Sequence, residues 1–183
     1  SQGNSDASWD EFLMKTPMGQ FQQSSMWAQV KEVDGWESLR VLATIEDQIA
    51  GGFQILWRNT RFGRIGYVSK GPVAVPETQS LVERLSLLMC DQARKNKILA
   101  LIVQPPDESK ITSDILCRRH FIQSNPMDVV ETTLLVDVGK GNEALDKGMN
   151  RKTRRNARIA KKSGIVIREG TKEDISLFFN LMI

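Results

Sequence analysis

The sequence is poor in the residues that build metal centres and disulfide frameworks. Its 183 residues hold one histidine, His120, and two cysteines, Cys90 and Cys117. That supply does not suffice for a usual zinc site or for a disulfide-stapled scaffold, and it fits a reducing compartment with both thiols in the interior. No apolar run approaches the roughly 18 to 20 residues of a membrane span. The polar opening, Ser1-Gln2-Gly3-Asn4-Ser5, lacks the basic-then-apolar order of a secretory signal. A cytoplasmic protein is the expectation. Missing too are a Gly-x-Ser-x-Gly nucleophile elbow and a Walker-type phosphate loop.

What is present is ordinary globular material, 40% hydrophobic and 26% charged, in a chain long enough to bury a core. The net charge of +3 is mild, but eight of the 16 residues from Lys147 to Lys162 are basic. Set against +3 overall, those eight leave the rest of the chain slightly acidic. An anionic partner is therefore expected at one place, rather than along the whole surface.

The periodicity predicts a short helix over Trp9 to Met14, with Ser8 as N-cap and Glu11 in the capping-box position. A second helix is expected from Gln20 to Val33, carrying Phe21, Met26, Trp27 and Val30. Two strands, Leu39 to Ile45 and Ile49 to Trp57, read as a hairpin, and Arg64 to Ser69 as a third strand ended by Gly71-Pro72. Helices are expected over Pro76 to Asn96 and Ser109 to Arg119, around the apolar run Ile98 to Val103, which reads as a buried central strand. Phe121 to Ser124, Val129 to Val138 and Ile165 to Arg168 read as further strands. Gly141 to Ser163 reads as one long basic helix. A last helix from Thr171 to Met182, with Phe178, Leu181 and Met182 facing inward, reaches the C-terminus without a stop signal, so continuation past Ile183 is expected. The order implies an α/β (α+β) class with segregated antiparallel strands.

Four segments are candidates for chemistry. Gln22 to Lys31 is amphipathic, ending on a lysine that is either functional or simply solvated. Gly66-Tyr67-Val68-Ser69-Lys70-Gly71-Pro72 is a strand entering a sharp turn, which either only ends the strand or offers backbone N–H groups and Lys70 to an anion. In Met149 to Gly164, the cations Arg151, Arg155, Arg158 and Lys162 share one helical face, with Lys152 beside them and Ile159 and Ala160 available to a core. Such a stripe binds phosphates of RNA or of a nucleotide sugar, or else is a solvated face. His120 reads as a structural loop histidine. Gln48-Ile49-Ala50-Gly51-Gly52-Phe53 comes nearest to a CoA pyrophosphate turn. Phe53 fills a position that must be small, and a strand follows where a helix is needed, so the segment reads as a plain turn.

Taken in order, four motifs resemble the FemABX family of peptidoglycan bridge-forming aminoacyltransferases. They are Gln23-Ser24-Ser25-Met26-Trp27-Ala28-Gln29-Val30-Lys31, Gly66 to Pro72, Thr133-Leu134-Leu135-Val136-Asp137-Val138, and Lys152 to Gly164. The resemblance implies a GNAT-like mixed twisted sheet flanked by helices over residues 1–127. It implies the start of a second, truncated GNAT-like domain with the basic helix over residues 128–183. It further implies transfer of an amino acid from aminoacyl-tRNA to a UDP-linked or lipid-linked peptidoglycan precursor, with no cofactor and no metal. Lys31 is the position the resemblance assigns to the precursor's phosphates, and Tyr67 and Lys70 are added as substrate-binding candidates. Arg151, Lys152, Arg155, Arg158 and Lys162 are the nucleic-acid or phosphate candidates. No catalytic residue is assigned, and with half the cleft expected beyond Ile183 these residues alone are not expected to complete the reaction. Two other readings stand beside this one: a GNAT-like N-acyltransferase acting on a small molecule, and a non-catalytic RNA- or nucleotide-binding module centred on residues 147 to 162.

Overall fold

The computed structural model describes residues 5–107, 109–124 and 136–182. They fall into two compact units, Ser1–Asn125 and Pro126–Ile183. The expected boundary at residues 127 and 128, the motif residues Thr133 to Leu135 and most of the strand expected over Val129 to Val138 lie outside the described residues.

The first unit opens with α1 (Ala7–Lys15), a 3-10 turn at Phe21–Gln23 and α2 (Ser25–Val33). The cap of α1 is Asp6, which accepts from the Trp9 N–H, and not Ser8, whose hydroxyl donates to Asp6 instead. Glu11 pairs with Lys15 one turn on rather than closing a capping box. The long hairpin follows, β1 (Glu37–Ile45) and β2 (Gln48–Thr60), turned at Glu46 and Asp47, both at positive φ. Two such residues give the turn a twist that matches its strands. The segment expected to be a turn, Gln48 to Phe53, is already strand; the reversal lies just before it.

β3 (Gly63–Ser69) pairs antiparallel with β2, a two-residue β4 (Val73–Ala74) pairs with β2 at Gly51 and Gly52, and α3 (Gln79–Lys95) carries the chain back to β5 (Ile98–Gln104), parallel to β3. The strand order is β1-β2-β3-β5, a mixed sheet. Ile98 to Val103 was expected at its centre, yet among the described residues β5 pairs only with β3 and stands at the edge. The reason is in its side chains. Leu101 and Val103 pack against the core, whereas Leu99 is 73% exposed. The irregularity that opens β5, where Arg64 pairs with Ile98 and Ile65 with Ala100, sets Leu99 apart from Leu101 and Val103, so a continuous apolar run need not be covered along its whole length.

Alternation along the strands sorts the two faces. Phe53, Ile55, Trp57 and Val68 meet Val82, Leu85 and Met89 of α3 and Ile115 of α4 (Lys110–Arg118) in the main core. The other face carries α1, whose Trp9 and Leu13 pack with Val73. Gly52 is needed there, since a Cβ would lie 3.1 Å from the Trp9 ring and 2.4 Å from the Val41 carbonyl oxygen. Phe121 to Ser124, expected as a strand, is irregular, and His120 closes α4 at positive φ. Cys90 is half-buried and Cys117 exposed, so only one thiol turns inward.

The second unit holds α5 (Gly141–Gly148), α6 (Arg151–Lys162) and α7 (Asp174–Asn180). The long basic helix is thus two helices, broken at Met149 and Asn150, because the Asn150 side chain caps α6 by accepting from the Thr153 N–H at 2.8 Å. Ile165 to Arg168 is not a strand. Phe178, Leu181 and Met182 do not face inward; each is more than 60% exposed. Among the described residues no helix is long and apolar enough to cross a membrane.

Candidate functional site

Ser24 begins α2, its hydroxyl accepting from the Trp27 N–H at 3.1 Å. One turn later Trp27 and Lys31 stand on one side of the helix, as residues four apart do. The end of α2 then determines what meets them. The Gly35 N–H donates to the Glu32 carbonyl at 2.9 Å and the Trp36 N–H to the Lys31 carbonyl at 3.1 Å, with Gly35 at φ +78. This is a Schellman turn, which needs a residue comfortable in the left-handed region. It swings Trp36 back over Lys31.

The result is a cationic-aromatic cluster. The Lys31 Nζ lies 5.0 Å from the Trp27 ring centre and 5.9 Å from that of Trp36. Phe21 meets Trp27 edge-on at 5.2 Å, Trp36 meets Tyr67 of β3 at 5.5 Å, and the Arg58 guanidinium sits 5.0 Å over the Trp36 ring. Lys31 is half-buried, so it is neither free in solvent nor lost in the core. Indole faces attract a cation without neutralising it, which leaves the ammonium able to take an anion. Lys31 and Tyr67, singled out separately in the sequence, meet through Trp36.

A buried polar network fixes this cluster to the sheet. The Gln23 side chain accepts from the Gln54 N–H at 2.7 Å and donates to the Ser69 carbonyl at 2.6 Å. The Gln54 amide donates to the Ser24 carbonyl at 3.0 Å, and its oxygen accepts from Arg40 at 2.8 Å. Trp9 donates to the Gln23 carbonyl at 2.7 Å, and Asp10 accepts from the Ser25 N–H and hydroxyl. Burial pulls the Arg40 pKa down, opposed by the carboxylates of Asp6 and Asp10. Sequence reasoning gave none of Gln23, Gln54, Arg40 or Trp36 a role. The available signal was an arginine and a glutamine inside hydrophobic strands, where polar side chains persist only with partners.

Lys70 belongs to different surroundings. It takes positive φ at the end of β3 and pairs with Asp107, while the Gly71 N–H is used by the Gln104 carbonyl. Pro17, Met18, Gln20 and Asp107 line a shallow depression there. Lys70 lies three positions beyond Tyr67, roughly 10 Å of strand.

In the second unit, Arg151, Arg155, Arg158 and Lys162 line one concavity, joined by Arg154 and Ile159. Arg154 had not been expected there. Ile159 was expected to face a core and is 50% exposed. Lys152 is not part of that lining.

A family model described as the FemAB family matches residues 5–125. The lipid II:glycine glycyltransferase of Staphylococcus saprophyticus is 25% identical over 97% of this chain and 46% of its own length. Its counterpart in Staphylococcus epidermidis is 26% identical over 94% of this chain and 44% of its own. The chain thus spans about half the length of the curated relatives it matches. A crystal structure of FemX superposes with a TM-score of 0.73 at 20% identity, over 100% of this chain and 48% of the other. The GNAT-like mixed sheet flanked by helices is thereby borne out as the fold.

Proposed function

The chain belongs to the FemAB family, and from that premise we propose that it acts in moving an amino acid from aminoacyl-tRNA onto the peptide of a lipid-linked peptidoglycan precursor, on the cytoplasmic side. The named activity of the Staphylococcus relatives supports this acceptor. Attack of a precursor amine on an aminoacyl ester forms a C–N bond and releases the tRNA hydroxyl. Such a reaction needs positioning and stabilisation of the developing oxyanion more than a protein nucleophile.

The observation that carries the reading is Lys31, held by Trp27 and Trp36 at the C-terminal end of α2, with Tyr67 behind them. A lysine is a compact point charge suited to a diphosphate, which needs neutralising more than bidentate gripping. Lys31→Ala should weaken binding of a UDP-muramyl peptide, a water-soluble carrier of that diphosphate, by about 1.5 to 3 kcal/mol. Stability should fall by less than about 1 kcal/mol, the scale of cation–π contacts at a partly exposed site. Calorimetric titration beside thermal melts checks both, and equal affinity for wild type and variant would remove Lys31 from the substrate site.

The role we give to α6 is to meet the tRNA backbone. Each phosphate contact contributes to the salt dependence of binding through counterion release. Changing Arg151, Arg155 and Arg158 together to alanine should flatten the slope of log affinity for tRNA against log salt by about two to three units. An unchanged slope would make α6 a solvated helix.

A further inference from the structure

One end of the first unit's sheet is built unlike the rest of its surface. At this end β1 begins, β2 turns into β3, and α3 hands over to β5. Arg64 ties the parts together by donating to the Asn96 carbonyl at 2.8 Å, with its guanidinium 3.8 Å from Glu37. Gly63 closes the β2–β3 turn against Leu99, where a Cβ would stand 3.3 Å from the leucine methyl. Phe62 at the hairpin tip is 71% exposed and Leu99 is 73% exposed. Four cations belong to the same end of the sheet: Arg58, Arg61, Arg64 and Lys97. Asp34, in the adjoining α2–β1 connection, and Glu37, the first residue of β1, oppose them, so the balance is cationic. The Arg61 guanidinium lies 4.5 Å from the Phe62 ring centre, and Arg58 reaches the Trp36 ring that also meets Lys31.

We propose that this end of the sheet docks on an anionic phospholipid surface, with Phe62 and Leu99 entering the headgroup layer and the arginines facing lipid phosphates. Apolar tips that share one end of the sheet with long basic side chains suit that layer. The apolar groups leave water, while the charged heads stay at the phosphate level. The continuity from Arg58 through Trp36 to Lys31 adds a reason of position. The inference rests on the lipid-linked acceptor proposed above: a diphosphate reached by Lys31 would itself lie at a bilayer surface, and the sheet end beside Lys31 is the part that would meet that surface first. RNA is the competing anion. Leu99 offers nothing to a base or a phosphate, and one face of the Phe62 ring is already taken by Arg61, which disfavours a base-stacking platform.

The test uses the whole chain and vesicles free of any precursor, so its outcome is independent of the Lys31 titration. Wild type should float with phosphatidylglycerol-containing vesicles and not with pure phosphatidylcholine, since each basic residue near an anionic leaflet is worth roughly fivefold in partition. Phe62→Ser with Leu99→Ser should cut that partition by about tenfold or more. Both sites are exposed, and unchanged thermal melts would exclude unfolding as the cause. A Phe62→Trp reporter should be quenched by lipids brominated on their acyl chains. Absence of flotation by the wild type overturns the proposal. So does flotation that survives the double variant but is lost on changing Arg151, Arg155 and Arg158 to alanine, since α6 would then be the membrane contact. Loss of RNA binding in the double variant, with the Phe62→Trp reporter unquenched, overturns it in favour of RNA.

Discussion

Residues 5–124 and residues 136–182 hold their helices by different means. In the first unit α3 exists against something: Val82, Leu85 and Met89 are fully buried over Phe53 and Ile55. In the second unit no described side chain is buried; Ile167 is 93% exposed and Phe178 61%. Order there comes from local hydrogen bonds. Asn150 caps α6, Asp137 caps a 3-10 turn at Val138–Lys140 that leads into α5, and Asp174 accepts from the Thr171 N–H while pairing with Arg168 at 2.7 Å. The contrast shows that apolar residues at helical spacing do not by themselves report a core. The same pattern produced a buried stripe on α3 and an exposed one on α7.

One substitution in each unit makes the largest separation. Phe53→Ala removes a ring with 0% exposure from the centre of the main core, and should cost about 3 to 5 kcal/mol, transfer and cavity together. Phe178→Ala removes a ring of the same kind from an open surface and should change stability by less than about 0.5 kcal/mol. Denaturant titration with far-ultraviolet circular dichroism measures both. A cost above about 2 kcal/mol for Phe178→Ala would mean that α7 is covered in solution, and the comparison would break.

The smaller expected effect concerns how the first unit holds its cluster. Gly35 occupies φ +78 with open space where a Cβ would project. Gly35→Ala therefore meets no clash and should cost only the left-handed penalty, about 1 kcal/mol. If the Schellman turn is what lays Trp36 over Lys31, precursor affinity should fall along with stability. Stability loss with unchanged affinity would show that the cluster is held by Tyr67 and Arg58 instead.

Most of the first unit could be read from residue patterns, because its signals are local. Glu46 and Asp47 turn the hairpin and Gly71-Pro72 ends β3, whereas α3 starts at Gln79 under a Thr78 cap and not at the expected Pro76. The motif lysine could be found, but its surroundings could not. Trp36 comes to Lys31 through a turn, whereas Tyr67 and Gln54 come through strand pairing across long separations, which no window of sequence contains. The edge position of β5 was hidden for a similar reason, since a partner strand lies far away in the chain. In the second unit the error was physical. Spacing placed Arg151, Arg155, Arg158 and Lys162 on one face, where they are, but gave Ile159 a core that the described residues do not supply.

The last prediction takes pH as the probe and expects the second unit to yield first. Asp174 accepts two hydrogen bonds from Arg168 and others from Thr171, and these hold its carboxyl well below the ordinary aspartate value of 3.8. A carboxylate whose pKa is depressed in the folded chain stabilises that state above the unfolded value, and the contribution is lost as pH falls through the folded one. Glu173 is lowered as well, chiefly through its hydrogen bond with Thr171, so the two act in the same direction. Arg168 stays charged throughout, its own pKa raised by the same pair. The start of α7 should therefore be intact at neutral pH and loosen only in strong acid, below the usual carboxylate range. The core around Phe53, Leu85 and Met89 is held by apolar packing, so amide protection of Phe53 and Ile55 should outlast that of Thr171 on acidification. Amide signals followed by nuclear magnetic resonance through an acid titration would resolve the two regions. Arg168→Ala should return the Asp174 titration toward its ordinary value. If Asp174 titrates there already in the wild type, the pair with Arg168 is not formed in solution, and local hydrogen bonding is the wrong account of what holds α7.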